Sequence, residues 1–179
     1  MKRLCLFRHA KSDWGDPSKD DFERPLNARG EKAAAFMAEW IAQSPYRPDL
    51  ILCSTAARAL ATCTPLLAAL GGKVPVIYRD ELYHAMPDEM LAEIRKAPDE
   101  AETLLVVAHN PGLVLLAMAL AEDPDDETAL RVAYGVPTGG FAVFEFDVDR
   151  WDEIGDGKGR SVFFGRPRDL MAEAPGGKP

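Results

Sequence analysis

The amino-acid sequence predicts an α/β fold, a three-layer α/β/α arrangement with a mostly parallel central sheet and an antiparallel edge strand. Short apolar segments alternate along the chain with longer segments in which apolar residues recur at helical spacing, which is the pattern of a parallel sheet covered by helices. Residues 103–108 form an almost uninterrupted Leu/Val segment, which is typical of a central strand buried on both faces. The length of 179 residues suits one domain.

The elements are assigned in order from their apolar pattern and from the polar, glycine or proline residues at their ends. Asn27 is predicted to cap the first helix, and Ser54 and Thr55 are candidate caps of the second. Asn110 is predicted to cap a later helix that has Pro111 at its first position. The predicted strands are residues 2–7, 49–53, 74–78, 103–108, 141–148 and 160–164, and the predicted helices are residues 27–43, 54–71, 87–95 and 110–121.

One domain is expected over residues 1–170, followed by a disordered tail over residues 171–179. The polar loop over residues 11–24 is long enough to have a function of its own. The three cysteines have no paired spacing and lie in or beside apolar segments, so we expect reduced core thiols.

The charge balance argues against nucleic acid or an anionic membrane as a partner. The chain has 21 basic and 29 acidic residues and a net charge of −8, whereas binding to a polyanion needs a basic surface. The longest apolar segment, residues 113–121, is far shorter than the roughly 18 to 20 residues of a membrane-spanning helix. The apolar segment at residues 4–7 is also too short for a signal peptide. We therefore expect a cytoplasmic protein.

Polar side chains follow three of the predicted strands at the point where each strand ends. Arg8 and His9 follow the first strand, Arg58 begins the helix after the second, and His109 and Asn110 follow the central strand. Because the carboxyl ends of parallel strands form the ligand crevice of such sheets, we expect these side chains to lie together. Two guanidinium groups and a helix N-terminus at one place favour a phosphate ligand. One imidazole could then attack phosphorus while the other groups hold the phosphoryl oxygens.

These motifs resemble those of the histidine phosphatase superfamily. Residues 6–11, Leu-Phe-Arg-His-Ala-Lys, are similar to its Arg-His-Gly signature, with Ala10 in the position of the glycine. The other matching parts follow in the same order: Arg24-Pro25-Leu26 with Arg29-Gly30, residues 54–62 around Arg58, and residues 107–112. Within the superfamily the chain is most similar to the short SixA-like phosphohistidine phosphatases, which often carry Arg-His-Ala-Lys.

The resemblance implies a phosphoglycerate mutase-like fold and a phosphatase that requires no metal or other cofactor. It also implies that His9 becomes transiently phosphorylated. Glu81 stands where the superfamily's acidic proton donor is expected. The catalytic set is then His9, Arg8, Arg58, His109 and Glu81, and the phosphate-binding set is Arg8, His9, Arg58, His109 and Asn110.

The expected substrate is a phosphorylated histidine on another protein, with inorganic phosphate as product. Relatives that act on small metabolites tend to have a large insertion over the pocket, whereas here only residues 82–108 precede the second histidine. That predicts an open pocket, and an imidazole leaving group needs less acid catalysis than an alkoxide. Two alternatives stay open: a phosphatase or mutase for small phosphate esters, and a phosphoprotein-binding module without turnover.

Several polar residues near the predicted site keep more than one interpretation. His84 is expected at the pocket rim or on the surface, because its acidic neighbours have no standard metal-ligand spacing. Ser12 and Trp14 are candidates for the pocket entrance. Arg24 either belongs to the pocket or forms an ion pair with one of the aspartates at residues 20–21.

Overall fold

Strands and helices alternate along residues 1–174, which are the residues that the computed structural model describes. The strands are β1 (Lys2–Arg8), β2 (Leu50–Ser54), β3 (Val76–Arg79), β4 (Thr103–Ala108), β5 (Phe141–Phe146) and β6 (Arg160–Gly165). The helices are α1 (Ala28–Gln43), α2 (Ala57–Ala69), α3 (Pro87–Ile94), α4 (Gly112–Leu120), α5 (Glu127–Ala133) and α6 (Pro167–Glu173). Three 3₁₀ turns lie at Asp21–Glu23, Asp80–Leu82 and Trp151–Glu153.

The strands form a six-stranded sheet in the order β3-β2-β4-β1-β5-β6. Strands β3, β2, β4 and β1 are parallel, and β5 runs antiparallel to both β1 and β6. The predicted α/β class with a mostly parallel sheet is therefore confirmed. The antiparallel strand β5 lies one position inside one edge of the sheet, where β6 is the edge strand, and β3 forms the other edge.

Side chains of β1 alternate between two cores, one on each face of the sheet. Leu4 and Leu6 pack with residues of α3, α4 and α5, whereas Cys5 and Phe7 pack with residues of α1, α2 and α6. Helices on both faces give the predicted three layers. The predicted core thiols are also confirmed, since each of the three is free and buried: Cys5, Cys53 and Cys63.

The sheet register brings the ends of β1, β2 and β4 to one edge. Arg8 pairs with Ala108, and Cys53 pairs with Val107. The residues that follow these three strands are consequently neighbours, as the parallel pattern predicts. Strand β4 has the predicted bounds and is buried along its whole length.

The structure confirms the predicted N-cap of α1 but not that of α2. Asn27 is confirmed as the cap of α1, because its side chain accepts a 2.8 Å hydrogen bond from the Gly30 amide. The prediction that Ser54 or Thr55 caps α2 is wrong, because the N-cap is Ala56, whose side chain makes no such bond. The Ser54 and Thr55 hydroxyls instead contact side chains from other parts of the chain.

The predicted tail begins too early, because residues 171–173 belong to helix α6. Pro167 occupies the first position of that helix, where its fixed φ is favourable. Leu170 is buried against the α1 and α2 layer, so packing extends the ordered chain further than composition indicates. Residues 175–179 of the predicted tail lie outside the described residues. Within residues 1–174, no helix has both the length and the apolarity that crossing a membrane requires.

Candidate active site

His9 lies just after β1 and is 6% exposed. Its Nδ1 is 2.7 Å from the Ala10 carbonyl oxygen, and the Nε of Arg58 is 3.3 Å from its Nε2. A guanidinium N–H can only donate, and a carbonyl can only accept. The ring is therefore the tautomer that has its proton on Nδ1 and a lone pair on Nε2, the nitrogen available as a nucleophile.

The surroundings of His9 keep the imidazole neutral. Burial, together with the charges of Arg58, Arg8 and Arg24, lowers the pKa of His9 to about 4 against the opposing effect of the bond to Ala10. At neutral pH the lone pair is consequently present in essentially every molecule. A neutral imidazole with one free nitrogen is a competent nucleophile.

Arg58, on the first turn of α2, is 4% exposed. Its Nη1 donates to the Asp21 carbonyl at 2.6 Å and its Nη2 to the Asp21 carboxylate at 3.0 Å. Thr62, one turn later, donates to the Arg58 carbonyl and accepts from the Ala10 amide. Both the guanidinium group and the backbone that carries it are thus fixed relative to His9.

Arg8 and Asn110 share one acceptor, the carbonyl oxygen of Val136. Arg8 Nη1 and Asn110 Nδ2 each donate to it at 2.9 Å. The Arg8 Nε is buried and has no hydrogen-bond partner among the described residues. An unpartnered buried donor costs about 1 to 3 kcal/mol, so this atom is suited to an anionic ligand.

The bond to Val136 also explains why the predicted capping role of Asn110 is wrong. The N-cap of α4 is Pro111, without a side-chain cap, and the Leu113 amide donates to the His109 carbonyl at 3.0 Å. That leaves the first turn with fewer free amides than the sequence indicates. Phosphate binding by Asn110 stays a prediction.

His109 follows β4 and is 4% exposed. Its ring centroid lies 5.0 Å from that of His9, and its Nε2 is 2.8 Å from the Ser54 hydroxyl. Burial, together with the neighbouring His9 and Arg58, lowers the pKa of His109 to about 3. When the Ser54 hydroxyl donates to Nε2, the proton is on Nδ1, a buried atom without a described partner. That N–H is available to a phosphoryl oxygen.

Asp21 is the site residue that sequence reasoning did not single out. Its carboxylate accepts hydrogen bonds from the Tyr83 hydroxyl at 2.7 Å and from His84 Nε2 at 3.2 Å. It also accepts from Arg58 Nη2 and from Arg24 Nε, each at 3.0 Å. The only signal for it in the sequence is the candidate ion pair with Arg24.

Asp21 is ionised at neutral pH. Burial alone would raise the pKa of its carboxyl group, but the hydrogen bonds from Tyr83 and His84 and the charge of Arg58 outweigh burial. Together with Arg24 they hold the pKa well below its usual range. Asp21 is accordingly an anchor for the guanidinium group of Arg58, and it does not hold a proton that it could donate.

The loop after His9 is fixed against α1. A Cβ on Gly30 would lie 1.9 Å from the Lys11 carbonyl oxygen, so this approach requires glycine. Arg24 donates to the Ser12 hydroxyl and to Asp21, and its guanidinium carbon lies 3.5 Å from the centre of the Trp14 ring. Of the two predicted ion-pair partners of Arg24, the structure selects Asp21.

Glu81 lies in the 3₁₀ turn after β3, where its side chain is exposed. Within residues 1–174, Glu81 is not a hydrogen-bond or ion-pair partner of His9, Arg58 or Asp21. Tyr83 and His84, two and three residues further along the chain, reach the site instead. His84 adopts a left-handed φ of 55° and its side chain is 65% exposed, in agreement with the predicted position at the pocket rim or on the surface. The role of Glu81 as an acid stays a prediction.

A neutral histidine with a free ring nitrogen lies beside two arginines and a second histidine at the carboxyl edge of a parallel sheet, an arrangement suited to phosphoryl transfer. Residues 4–86 match the histidine phosphatase superfamily (branch 1). An uncharacterized protein of Mycobacterium tuberculosis is 37% identical over 163 residues, which cover 90% of this chain and 99% of the relative. One from Mycobacterium leprae is 34% identical over 165 residues, 90% of this chain and 99% of the relative. The chain belongs to the histidine phosphatase superfamily.

Solved structures show the same fold. A protein from Agrobacterium tumefaciens, provisionally described as the phosphohistidine phosphatase SixA, is 32% identical with a TM-score of 0.77, covering 93% of this chain and 98% of the other. A protein from Nakamurella multipartitia with the same provisional description is 32% identical with a TM-score of 0.78, covering 93% and 96%. The protein histidine phosphatase SixA in complex with tungstate shares the fold at 20% identity, with a TM-score of 0.73 and coverage of 94% and 99%.

Proposed function

We propose that the protein removes the phosphoryl group from a phosphohistidine of another protein, through a covalent intermediate on His9. One observation carries the proposal: the lone pair on His9 Nε2 is held beside Arg58 Nε at 3.3 Å. Two buried nitrogens without described partners, Arg8 Nε and His109 Nδ1, belong to the same site.

The first step transfers the phosphoryl group to His9. Its Nε2 attacks phosphorus in line, a new N–P bond forms, and the N–P bond of the substrate breaks. Arg8, Arg58 and the Nδ1–H of His109 meet the negative charge on the equatorial oxygens, and they need little rearrangement because their positions are already fixed. The substrate imidazole departs with the electron pair of the broken bond and takes up a proton.

The second step releases phosphate by hydrolysis. Water attacks phosphorus, the bond to His9 Nε2 breaks, and the electron pair returns to that nitrogen while the water proton passes to solvent. The hydrogen bond from Nδ1 to the Ala10 carbonyl keeps the ring in the same tautomer throughout. His9 is therefore ready for another cycle without rotation.

Two features support phosphohistidine over a phosphate ester as the substrate. Asp21 is held ionised and Glu81 is exposed, so the described site holds no carboxylic acid in position to protonate an alkoxide. Imidazole is a better leaving group and needs less help from an acid. In addition, the connection from β3 to β4 consists of a 3₁₀ turn and the single helix α3. So short a connection is in keeping with an open pocket that a protein substrate can approach. The names of the solved SixA structures agree with this substrate class.

Substrate comparison tests the proposal. A chemically phosphorylated histidine-containing domain and a panel of sugar and nucleotide phosphates would be assayed side by side by release of inorganic phosphate. We expect the phosphorylated domain to have the highest kcat/KM. Faster turnover of any ester in the panel would favour the small-molecule phosphatase, and tight phosphate-dependent binding without hydrolysis would favour a binding module.

A further inference from the structure

Helix α4 is unusual because all nine of its residues are apolar or glycine, although the helix lies at the surface. Its inner side is buried in the core, whereas Leu115 is 40% and Met118 is 49% exposed. A surface helix ordinarily presents polar side chains to solvent, and exposed apolar patches commonly mark interaction sites. The outward side of α4 therefore has the composition of an interface.

The start of helix α4 lies against a chain segment next to the catalytic site. A Cβ on Gly112 would lie 1.9 Å from the carbonyl oxygen of Ala85, so the start of α4 contacts the segment that carries the 48% exposed Met86. Helix α5 packs on α4 from another side, and it adds Leu130 and Tyr134, which are 40% and 92% exposed. We call the set the α4 face; it consists of Met86, Leu115, Met118, Leu130 and Tyr134.

Chain connectivity ties the α4 face to the residues that hold phosphate. Helix α4 begins three residues after His109. Tyr134 is two residues before Val136, whose carbonyl oxygen fixes Arg8. A protein that brings a phosphohistidine to His9 would consequently lie close enough to cover these side chains.

The charges next to the α4 face indicate what kind of partner fits. Residues 122–127, Glu-Asp-Pro-Asp-Asp-Glu, connect α4 to α5 and carry five carboxylates without a basic residue. A second copy of this chain also carries a net charge of −8, so its overall charge does not complement this place. A partner with basic residues around its apolar patch would be attracted.

We propose that the α4 face is the docking surface for the phosphohistidine protein, which would carry an apolar patch beside its phosphorylated histidine and basic residues toward residues 122–127. This inference rests on the proposed function. It assigns substrate recognition to a surface outside the catalytic pocket, and it predicts that small phosphorylated compounds do not use that surface.

The double variant Leu115→Gln/Met118→Gln tests the inference. Glutamine is a good helix former, and both positions are exposed, so folding should be retained. The matched control is Tyr78→Gln, since Tyr78 is 48% exposed and pairs with Cys53, whose side chain faces the opposite helical layer. The probes are a phosphorylated histidine-containing domain and phosphoramidate, a small compound with the same P–N bond.

We expect wild type to have a higher kcat/KM for the phosphorylated domain than for phosphoramidate. The double variant should lose about tenfold in kcat/KM for the domain, which corresponds to about 1.4 kcal/mol of transition-state stabilisation. It should retain phosphoramidate turnover within about twofold. Tyr78→Gln should match wild type on both substrates.

Three results would overturn the docking surface and leave the chemistry of His9 intact. The first is that wild type has the same kcat/KM for the domain and for phosphoramidate. The second is that the double variant and the control have equal activity on the domain. The third is that wild type sediments as a dimer and the double variant does not. The last result would assign the α4 face to a second copy. Failure of wild type to hydrolyse the domain while it hydrolyses esters would instead reject the proposed function.

Discussion

The Nε of Arg58 lies 3.3 Å from the Nε2 of His9, and this contact determines the chemistry of the site. It fixes which ring nitrogen carries the lone pair, because the guanidinium group can only donate. It also places a positive charge beside the atom that attacks phosphorus. When phosphorus occupies the lone pair, the same guanidinium N–H is free to turn toward a phosphoryl oxygen.

Arg58→Lys tests the contribution of the guanidinium fork separately from charge. Lysine keeps the positive charge but cannot bind His9 and Asp21 at the same time with planar geometry. We expect kcat to fall by about 10²- to 10³-fold, the usual effect of removing a fixed donor that stabilises developing charge. Steady-state kinetics with the phosphorylated domain measures the loss. Arg79→Lys, which affects a salt bridge to Glu93, is the control, and equal rates for the two variants would contradict this role.

The two active-site histidines should be neutral well below pH 6. Burial lowers the pKa of His9 to about 4 and that of His109 to about 3. Titration of the imidazole resonances by NMR, with His9→Asn and His109→Asn for assignment, checks both values. Addition of phosphate should raise the pKa of His109, because a nearby anion favours the protonated ring. A midpoint near 6.5 for either histidine in the free protein would contradict the described environment.

The same pKa values predict how stability depends on pH. The unfolded chain binds protons at these histidines from about pH 6.5 downward, whereas the folded protein binds them only near pH 4 and pH 3. The unfolded state therefore holds more protons in that window, and the free energy of unfolding decreases as pH falls through it. Each histidine contributes a slope of about 1.4 kcal/mol per pH unit in the middle of the window.

Urea unfolding of wild type and of His9→Asn/His109→Asn between pH 4.5 and pH 7.5 measures this contribution as a difference. Carboxyl groups that titrate in the same range affect both proteins, so the comparison cancels them. We expect the double variant to lose less stability toward low pH. Parallel curves for the two proteins would show that the histidines are not buried in neutral form.

Asp21→Asn distinguishes an anchor from a proton donor. Asparagine keeps an oxygen that can accept from Arg58, so an anchor should lose less than about tenfold in kcat on an alkyl phosphate ester, whose alkoxide leaving group needs a proton. A general acid would lose about 10²- to 10⁴-fold, and that result would contradict the role derived from the hydrogen bonds of Asp21. Glu81→Gln is the companion variant, and we expect it to match wild type on the same ester because the side chain is exposed.

Features that depend on a local sequence pattern or on the fold class could be predicted from the sequence. The bounds of β4 followed from its continuous apolar segment, and the meeting of Arg8, Arg58 and His109 followed from the rule that parallel strands end at one edge. These predictions depend on neighbours in the chain or on the class of fold, and both are visible in a sequence.

Residues whose partners are distant in the chain could not be predicted in the same way. Ser54 has the composition of a helix cap, but its hydroxyl is near His109, 55 residues away. Asn110 likewise gives its amide to Val136, 26 residues later. Asp21 gains its low pKa from Arg58 and Tyr83, which lie 37 and 62 residues away. In each case a tertiary hydrogen bond outweighs the local preference of a polar side chain.

The central claim is that His9 carries the phosphoryl group during turnover. Rapid mixing of wild type with a radiolabelled phosphorylated domain, followed by denaturation in base and peptide mapping, tests it most directly. The account predicts acid-labile, base-stable label on the peptide that contains His9, its absence from His9→Ala, and its retention in His84→Asn. Hydrolysis by wild type without any such label, or equal label on His9→Ala, would contradict the account.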